Sequence, residues 1–305
     1  MPSIAHVARG AGVATISGME ARAIVWRRAA ASAPPEAFFV GSAVFHYLGP
    51  AFAVLLFARV PPSGVAWLRI ASAAAIYAAW RRPWRALAAD DSGAIRTVVA
   101  MGAVLAAMNV CFYEAIDRLP LGTVAAIEFL PVIALAAAGT RTGRNVVALI
   151  LAVGGAYLLT QVRLTAEPVG IAFAFANAAL FSLYIVLAHR LARRGGMSGI
   201  DALAAAMLVA LVFVTPLGGR GALPAVVDPV ALAAGIGVGV TSSVIPYVCD
   251  QLAMARMERA TYALMVSLLP ATATVVGAVV LAQLPSLVDL GGVALVVAGV
   301  AVHRE

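Results

Sequence analysis

Hydrophobic residues occur along this 305-residue chain in long continuous runs, which short joints containing Arg, Pro or Gly separate. Each run approaches the ~20 apolar residues that an α-helix needs to cross the hydrocarbon core of a bilayer. Such runs argue against a transmembrane β-barrel, whose strands alternate polar and apolar residues. The pattern therefore predicts ten membrane-spanning helices, at about residues 38–57, 64–80, 94–115, 120–138, 144–162, 168–188, 199–217, 230–254, 260–283 and 286–302.

The composition supports an all-α integral membrane protein. Hydrophobic residues make up 63% of the chain and charged residues 11%, against roughly 45–50% and 25% in an ordinary soluble domain. A water-soluble globule could not bury so many apolar side chains. The chain has no GxxxxGK(S/T) or HExxH motif, and both Cys residues lie inside apolar runs. We therefore expect no metal, no cofactor and no ATP-driven chemistry.

The basic residues are all Arg, and their distribution predicts the orientation of the spans. When the N-terminus is placed inside, the cytoplasmic segments hold 16 of the 21 Arg residues, the outer loops hold four, and Arg69 is left within a span. This bias is the positive-inside signature of membrane proteins rather than a phosphate-binding patch, so no nucleic-acid partner is expected. Both termini are predicted to be cytoplasmic.

The first 36 residues match neither a span nor a signal peptide. Their apolar stretches are short and interrupted by charged residues, and there is no unbroken hydrophobic region followed by a cleavage site. We expect residues 1–36 to form a flexible or surface-lying cytoplasmic tail, with Met1 and Met19 as alternative starts.

An internal repeat appears when the sequence is shifted by 138 residues, because residues 110–130 and 248–268 then share seven of 21 positions, among them rare Cys, Arg and Thr. The repeat predicts two units of five spans each, 37–163 and 164–305. An odd number of spans forces the second unit to enter the membrane upside down. Inverted repeats place a substrate site near the midplane and permit alternating access, which is typical of a secondary transporter.

Several stretches also resemble a known family. The block MNVCFYEAIDRLPLGTVAAIEFLP, from Met108 to Pro131, resembles the EamA-type drug/metabolite transporter superfamily, and within it the threonine/homoserine exporter branch. Further matching stretches are WLR (67–69), RPWR (82–85), SSVIPY (242–247) and LMVSLLPA (264–271). The resemblance implies ten helices in two inverted halves, located in a bacterial inner membrane. It also implies export of amino acids or similar metabolites, driven by protons.

Ionisable residues within spans are costly unless they are paired or face water, which makes them the first candidates for a site. Glu128 lies eight residues after Pro120, ~12 Å along a helix. Pro131 follows, and its missing N–H frees a carbonyl beside the carboxyl group. We predict that Glu128 couples protons and binds substrate. The alternative is a static Glu, protonated or paired with Arg69.

Two further charged residues belong to the predicted site. Arg69, five residues into the second span, is predicted to bind a substrate carboxylate through two hydrogen bonds; the alternative is that it extends to the outer surface. Asp250 lies four residues after Pro246 on the same helix face. It is a second candidate for proton coupling, or a structural partner of Arg256 or Arg259.

Neutral polar residues complete the predicted substrate pocket. Each of them alone could equally make a helix-packing hydrogen bond or lie at the membrane interface. The candidates for substrate binding are His46, Asn109, Tyr113, Tyr184, Ser243 and Tyr247.

The leading interpretation is a proton-coupled exporter of a small zwitterionic metabolite. Its partners would be the substrate, protons and the lipid bilayer, and the sequence leaves open whether it acts as a monomer or a homodimer. A facilitator or importer, and a drug exporter of the same fold, are the alternatives within transport. A membrane-embedded enzyme would need acid, His or metal groups clustered at one membrane face, and a non-transporting scaffold would not explain charges at depth.

Overall fold

The structure is a computed structural model that describes residues 34–89, 91–139, 142–161, 167–194, 197–254, 256–257 and 268–302. Within these ranges the chain is helical, joined by short turns, and has no strand. Most of the predicted N-terminal tail, the boundary between the predicted halves and the first part of the predicted ninth span lie outside the described residues.

A helix covers each predicted span in the described part of the chain, with ends within a few residues of the expected ones except in α7 and α8. A short additional helix, α3, was not predicted. The helices are α1 (Pro35–Leu56), α2 (Pro62–Arg81), α3 (Pro83–Ala89), α4 (Ser92–Ile116), α5 (Leu121–Gly139), α6 (Gly143–Gln161), α7 (Pro168–Arg194), α8 (Gly199–Val227), α9 (Pro229–Gly239), α10 (Ile245–Met254), α11 (Leu269–Leu281) and α12 (Leu287–Val302).

The helix starts follow from local chemistry. α2 and α9 begin with Pro, whose fixed φ suits the first turn and whose missing N–H costs nothing there. Asp91 caps α4 by accepting from the Ala94 N–H, and Asp228 caps α9 by accepting from the N–H groups of Val230 and Ala231. The short joints between spans therefore both end one helix and begin the next.

Five described segments are long and apolar enough to cross a membrane: Glu36–Leu56, Ser92–Ile116, Pro168–Arg194, Gly199–Val227 and Pro229–Asp250. Shorter apolar helices cover Leu121–Leu130, Gly143–Leu159, Leu269–Leu281 and Leu287–Gly299. The described residues thus confirm the all-helical, multi-span membrane class.

The α8 helix extends ten residues beyond the end predicted at residue 217, so that Arg220 lies in a helix rather than in an outer loop. Close packing accounts for the extension. A side chain on Gly64 of α2 would overlap the backbone of Gly221, and one on Gly218 would overlap the Ser63 carbonyl. Small residues allow two membrane helices to approach this closely, and the contact compensates for the prolines within α8.

The helices pack in a regular scheme. α2 packs along α8, α6 along α12, and α5 against α11. α4 contacts both α7 and α8, while α10 contacts α1 and α9 contacts α2. α5 also packs against α7, and α1 against α11. The bundle is therefore held together mainly by contacts between its first five spans and its later ones.

The predicted eighth span is not one uninterrupted α-helix. Its first part, α9, runs into a π-helical turn over Val240–Val244, which α10 continues. Within that turn the Ile245 N–H bonds to the carbonyl of Val240, five residues back. Single π turns inside helices occur frequently at functional sites, and this turn lies beside the candidate site.

The largest buried cluster joins α1, α2 and α4 to α5, α7 and α9, and it contains the fully buried Tyr47 and Tyr113. A second cluster between α2, α4 and α8 contains Tyr77. These three tyrosines carry hydroxyl groups into the bundle interior and provide the setting of the site.

Candidate functional site

Glu128 of α5 is buried in the bundle, with 8% of its surface exposed. Its carboxyl Oε1 accepts a hydrogen bond from the side-chain amide of Asn177, on α7, at 3.2 Å. Among the described residues this is the only hydrogen bond that Glu128 makes. A carboxyl group with one neutral donor is poorly compensated if ionised, so the site can accommodate it as a neutral acid.

Arg69 of α2 is held on one edge by the α9–α10 segment. Its Nε donates to the Ser243 hydroxyl at 2.9 Å, and its Nη2 donates to the Ser242 carbonyl at 3.2 Å. The guanidinium carbon lies 5.8 Å from the centre of the Tyr113 ring, within the range of a cation–π contact. The Nη1 group of Arg69 has no hydrogen-bond partner among the described residues.

Arg69 and Glu128 do not form an ion pair with each other. No carboxylate of the described residues lies within 4 Å of the Arg69 guanidinium. The charge of Arg69 nevertheless acts on Glu128, and also on His46 and Tyr247. The site thus contains one cation and one acid that are close enough to interact but are not bonded directly.

Buried polar atoms without a hydrogen-bond partner surround these two residues. A buried polar group left unpaired costs roughly 1–3 kcal/mol, so several in one region indicate a place where a polar ligand or water binds. Among the described residues, the unpaired atoms of this region are Tyr47 Oη, Asn109 Oδ1, Tyr113 Oη, Asn177 Oδ1 and Ser242 Oγ.

The predicted residues on α7 and α10 lie on the side of the site toward residues 199–203. Tyr184 and Tyr247 both pack against the buried cluster that contains Tyr77. Tyr77 and Tyr247 border a small void of about 20 Å³ that also touches Gly199, enough for about one water molecule. Asp250 of α10 makes no ion pair among the described residues.

The structure brings most of the predicted residues together. Arg69, Tyr113 and Ser243 are in direct contact. His46 packs edge-on against Tyr47, at 5.2 Å between ring centres. Asn109, one turn before Tyr113, donates to the Leu105 carbonyl of its own helix at 2.8 Å and leaves its oxygen unpaired. Asp250 takes no part in the Arg69 contacts.

Three contributors were absent from the sequence-based set. Asn177 is the amide in the apolar run FAFANAALF, and the rule that polar residues within spans are costly could have identified it. Tyr47 and Tyr77 could not be distinguished from interfacial aromatics, because only the packing shows that their hydroxyl groups face inward.

Three further ion pairs lie away from this site. Arg81 and Asp201 form two parallel hydrogen bonds at 2.9 and 3.0 Å, and Arg118 pairs with Glu114 at 2.7 Å. Asp228, between α8 and α9, is 2.9 Å from an Arg59 nitrogen.

Asp228 also caps a helix. Hydrogen bonds from the Ala231 N–H and from Arg59 hold the pKa of Asp228 below its usual range.

Comparisons with known proteins identify the family. Residues 168–303 match the EamA-like transporter family. The threonine/homoserine exporter RhtA of Salmonella typhimurium (strain SL1344) is 30% identical over 238 residues, which are 77% of this chain and 79% of the relative. RhtA of Escherichia coli (strain K12) is 29% identical over the same shares. The chain belongs to the EamA-like transporters of the drug/metabolite transporter superfamily.

A solved crystal structure shares the fold. It covers 88% of this chain and 96% of its own, with a TM-score of 0.55 and 21% sequence identity. An identity this low shows the fold alone. The family and the apolar helices together define a multi-pass membrane transporter, and the prediction of a transporter rather than an enzyme agrees with them.

Proposed function

We propose that this protein exports a small zwitterionic metabolite, an amino acid of the threonine or homoserine type, in exchange for protons. The proposal takes its substrate class from the relatives, which are named threonine/homoserine exporters. Its chemistry rests on one observation: a buried acid and a partly buried cation share a polar site without pairing with each other.

The two charged residues suit the two ends of an amino acid. Arg69 has an unpaired Nη1 group that can donate to a carboxylate. A guanidinium group binds a carboxylate well because two of its N–H groups can donate in parallel. Glu128, when ionised, can accept from an ammonium group, while a neutral Glu128 costs little to bury. Proton and substrate ammonium then compete for one carboxyl group, which is the simplest form of antiport.

The architecture in this proposal is ten helices in two inverted units, 37–163 and 164–305. The packing scheme supports it. Each helix can be replaced by the one that lies five spans away in the sequence. The contact between α4 and α7 then corresponds to a contact between α9–α10 and α1. The contact between α5 and α7 corresponds to one between α11 and α1. All four of these helix pairs are in contact. The α2–α8, α5–α11 and α6–α12 pairs map onto themselves, as expected of helices next to a two-fold axis.

Alternating access follows from such an arrangement, because the two units can rock about a shared site and open it to each side in turn. The Arg distribution supports an inner-membrane orientation with both termini in the cytoplasm. A homodimer is compatible with this scheme but is not required by it, because the site is built from one chain.

The test is transport of L-threonine and L-homoserine in proteoliposomes with an imposed pH gradient. We expect the pH gradient to drive accumulation above the external concentration, and Glu128→Gln to abolish it. Glu114→Gln is the matched control, since Glu114 is paired with Arg118 outside the site. Equilibration without accumulation would instead indicate a facilitator, and transport of apolar cations but of neither amino acid would indicate a drug exporter.

A further inference from the structure

The carbonyl that holds Arg69 lacks the donor that an uninterrupted α-helix would give it. In an uninterrupted α-helix each N–H bonds to the carbonyl four residues earlier, so in that register the donor for the Ser242 carbonyl would be residue 246. That residue is Pro246, which has no N–H. The adjoining π turn already shifts the register, because the Ile245 N–H bonds to the carbonyl of Val240. The segment from 240 to 246 therefore departs from α-helical bonding in two ways, through the π turn and through the missing N–H of the proline.

Side chains of α1 and α2 bond to this irregular segment. Arg69 donates to the Ser242 carbonyl and to the Ser243 hydroxyl, and Tyr77 donates to the Ser243 carbonyl at 3.2 Å. On the α1 side, the Ser42 hydroxyl donates to the carbonyl of Pro246 itself, also at 3.2 Å. The backbone acceptors at the interruption therefore anchor the first two helices to the eighth span.

These two serine contacts occupy the Nε–Nη2 edge of the Arg69 guanidinium and leave Nη1 unpaired. The opposite edge, made of Nη1 and the second Nη2 hydrogen, is the one that remains for a bidentate carboxylate. A long Arg side chain loses substantial rotamer entropy when it is fixed. Anchoring it before the substrate arrives lowers the cost of binding.

We propose that Pro246 is a positioning residue for substrate binding: by withholding its N–H, it frees the Ser242 carbonyl to hold Arg69 with its Nη1 edge presented to the substrate carboxylate. The inference rests on the proposed function in taking Arg69 as the carboxylate-binding residue. It also makes the geometry of residues 240–246 matter for affinity, because this segment holds the anchor of Arg69.

The test uses Pro246→Ala and Pro246→Gly, both of which supply an N–H that can bond to the Ser242 carbonyl. Ala also stiffens the helix, whereas Gly does not. We expect both variants to raise the apparent KM for L-threonine about three- to tenfold with a smaller change in kcat, as the loss of one anchoring bond predicts. Pro216→Ala is the matched control, because Pro216 also lies inside a helix but away from the Arg69 contacts, and its KM should be unchanged.

A double-mutant cycle shows whether Pro246 acts through Arg69. In an Arg69→Lys background the fork is already lost, so Pro246→Ala should change the KM by less than twofold. Equal effects in both backgrounds, an effect of Ala without one of Gly, or an unchanged KM for both variants would each overturn the inference.

The same cycle separates this inference from the proposed function. If Arg69→Lys itself leaves the KM unchanged, the carboxylate is bound elsewhere and the proposed function loses its binding residue. If Arg69→Lys raises the KM and the Pro246 variants do not, only the anchoring role fails. Should the Pro246 variants fail to fold, Ser243→Ala removes the other anchoring acceptor without changing the backbone. It must then raise the KM in the wild-type background and not in the Arg69→Lys background.

Discussion

The side-chain amide of Asn177 donates to the Glu128 carboxyl oxygen at 3.2 Å, while the carbonyl oxygen of the same amide has no partner among the described residues. An amide can donate to an ionised carboxylate and can also accept from the O–H of a neutral carboxylic acid. Asn177 is therefore able to bond to Glu128 in either protonation state, and only the neutral acid would satisfy its carbonyl oxygen.

Asn177→Leu keeps a side chain of similar size but removes both of these bonds. We expect proton-driven export to fall about tenfold, because leaving a buried polar group unpaired costs roughly 1–3 kcal/mol. The measurement is the initial rate of export as a function of pH, with protein yield as the check on folding. Ser182→Ala on the same helix is the control, since within the described part of the chain that hydroxyl bonds only to the Ala178 carbonyl of α7. Equal losses in the two variants would contradict a role for Asn177 at the proton site.

Arg69→Lys retains the positive charge but loses the planar fork and the contact with the Tyr113 ring. We predict an increase of about tenfold in the apparent KM for L-threonine, since hydrogen bonds to charged groups contribute about 1.5–3 kcal/mol. Arg59→Lys is the matched control, because Arg59 is largely exposed and its ion pair with Asp228 lies outside the site. A substrate that lacks the carboxylate should show no difference between wild type and Arg69→Lys.

The close contact between α2 and α8 predicts a loss of stability in Gly64→Ala. The added Cβ would overlap the Gly221 backbone, and overpacking of this kind costs about 1–3 kcal/mol. Gly237→Ala is the control, because an added Cβ there meets no atom within 4 Å. Thermal unfolding in detergent should show a lower melting temperature for the first variant only. Equal melting temperatures would mean that the two helices are farther apart than described.

Asp228 predicts a pH dependence of stability at the connection between α8 and α9. Its pKa is lower in the folded protein than the ordinary value of 3.8, because the Ala231 N–H and Arg59 favour the ionised form. Its contribution to stability is therefore complete above pH 3.8 and is lost as the pH falls through the folded-state pKa. Melting temperatures measured from pH 6 to pH 3 should fall more for wild type than for Asp228→Asn; parallel curves would contradict the assignment.

Hydrophobic runs predicted the helices well because a membrane span must be both apolar and about 20 residues long. The end of α8 was predicted incorrectly, since Pro216 and the glycines after it read as a stop. Packing of Gly64 against Gly221 overrides that local signal. The π turn was missed for a related reason: Pro246 marks where a helical bond is lost, but the sequence does not show that Arg69 replaces it.

The residues of the candidate site differ in how visible they are in the sequence, because burying a charge costs more than burying a neutral polar group. Glu128 and Arg69 stand out in the sequence because charge in a span is rare and costly. Asn177 carries a smaller penalty, although the same rule applies to it, and Tyr47 cannot be distinguished by sequence from an interfacial aromatic residue. The bond from Asn177 to Glu128 joins residues 49 positions apart, and only the packing of α5 against α7 brings them together.

The central claim is that proton and substrate compete for the Glu128 carboxyl group, and reciprocity gives its most direct test. In antiport, a substrate gradient must drive protons across the membrane in the opposite direction, just as a pH gradient drives the substrate. The measurement is the internal pH of proteoliposomes after an outward L-threonine gradient is imposed without any pH gradient. Wild type should acidify the lumen, and Glu128→Gln should not. If the wild-type protein moves threonine with no change in pH, or if Glu128→Gln acidifies the lumen at the wild-type rate, the account is contradicted.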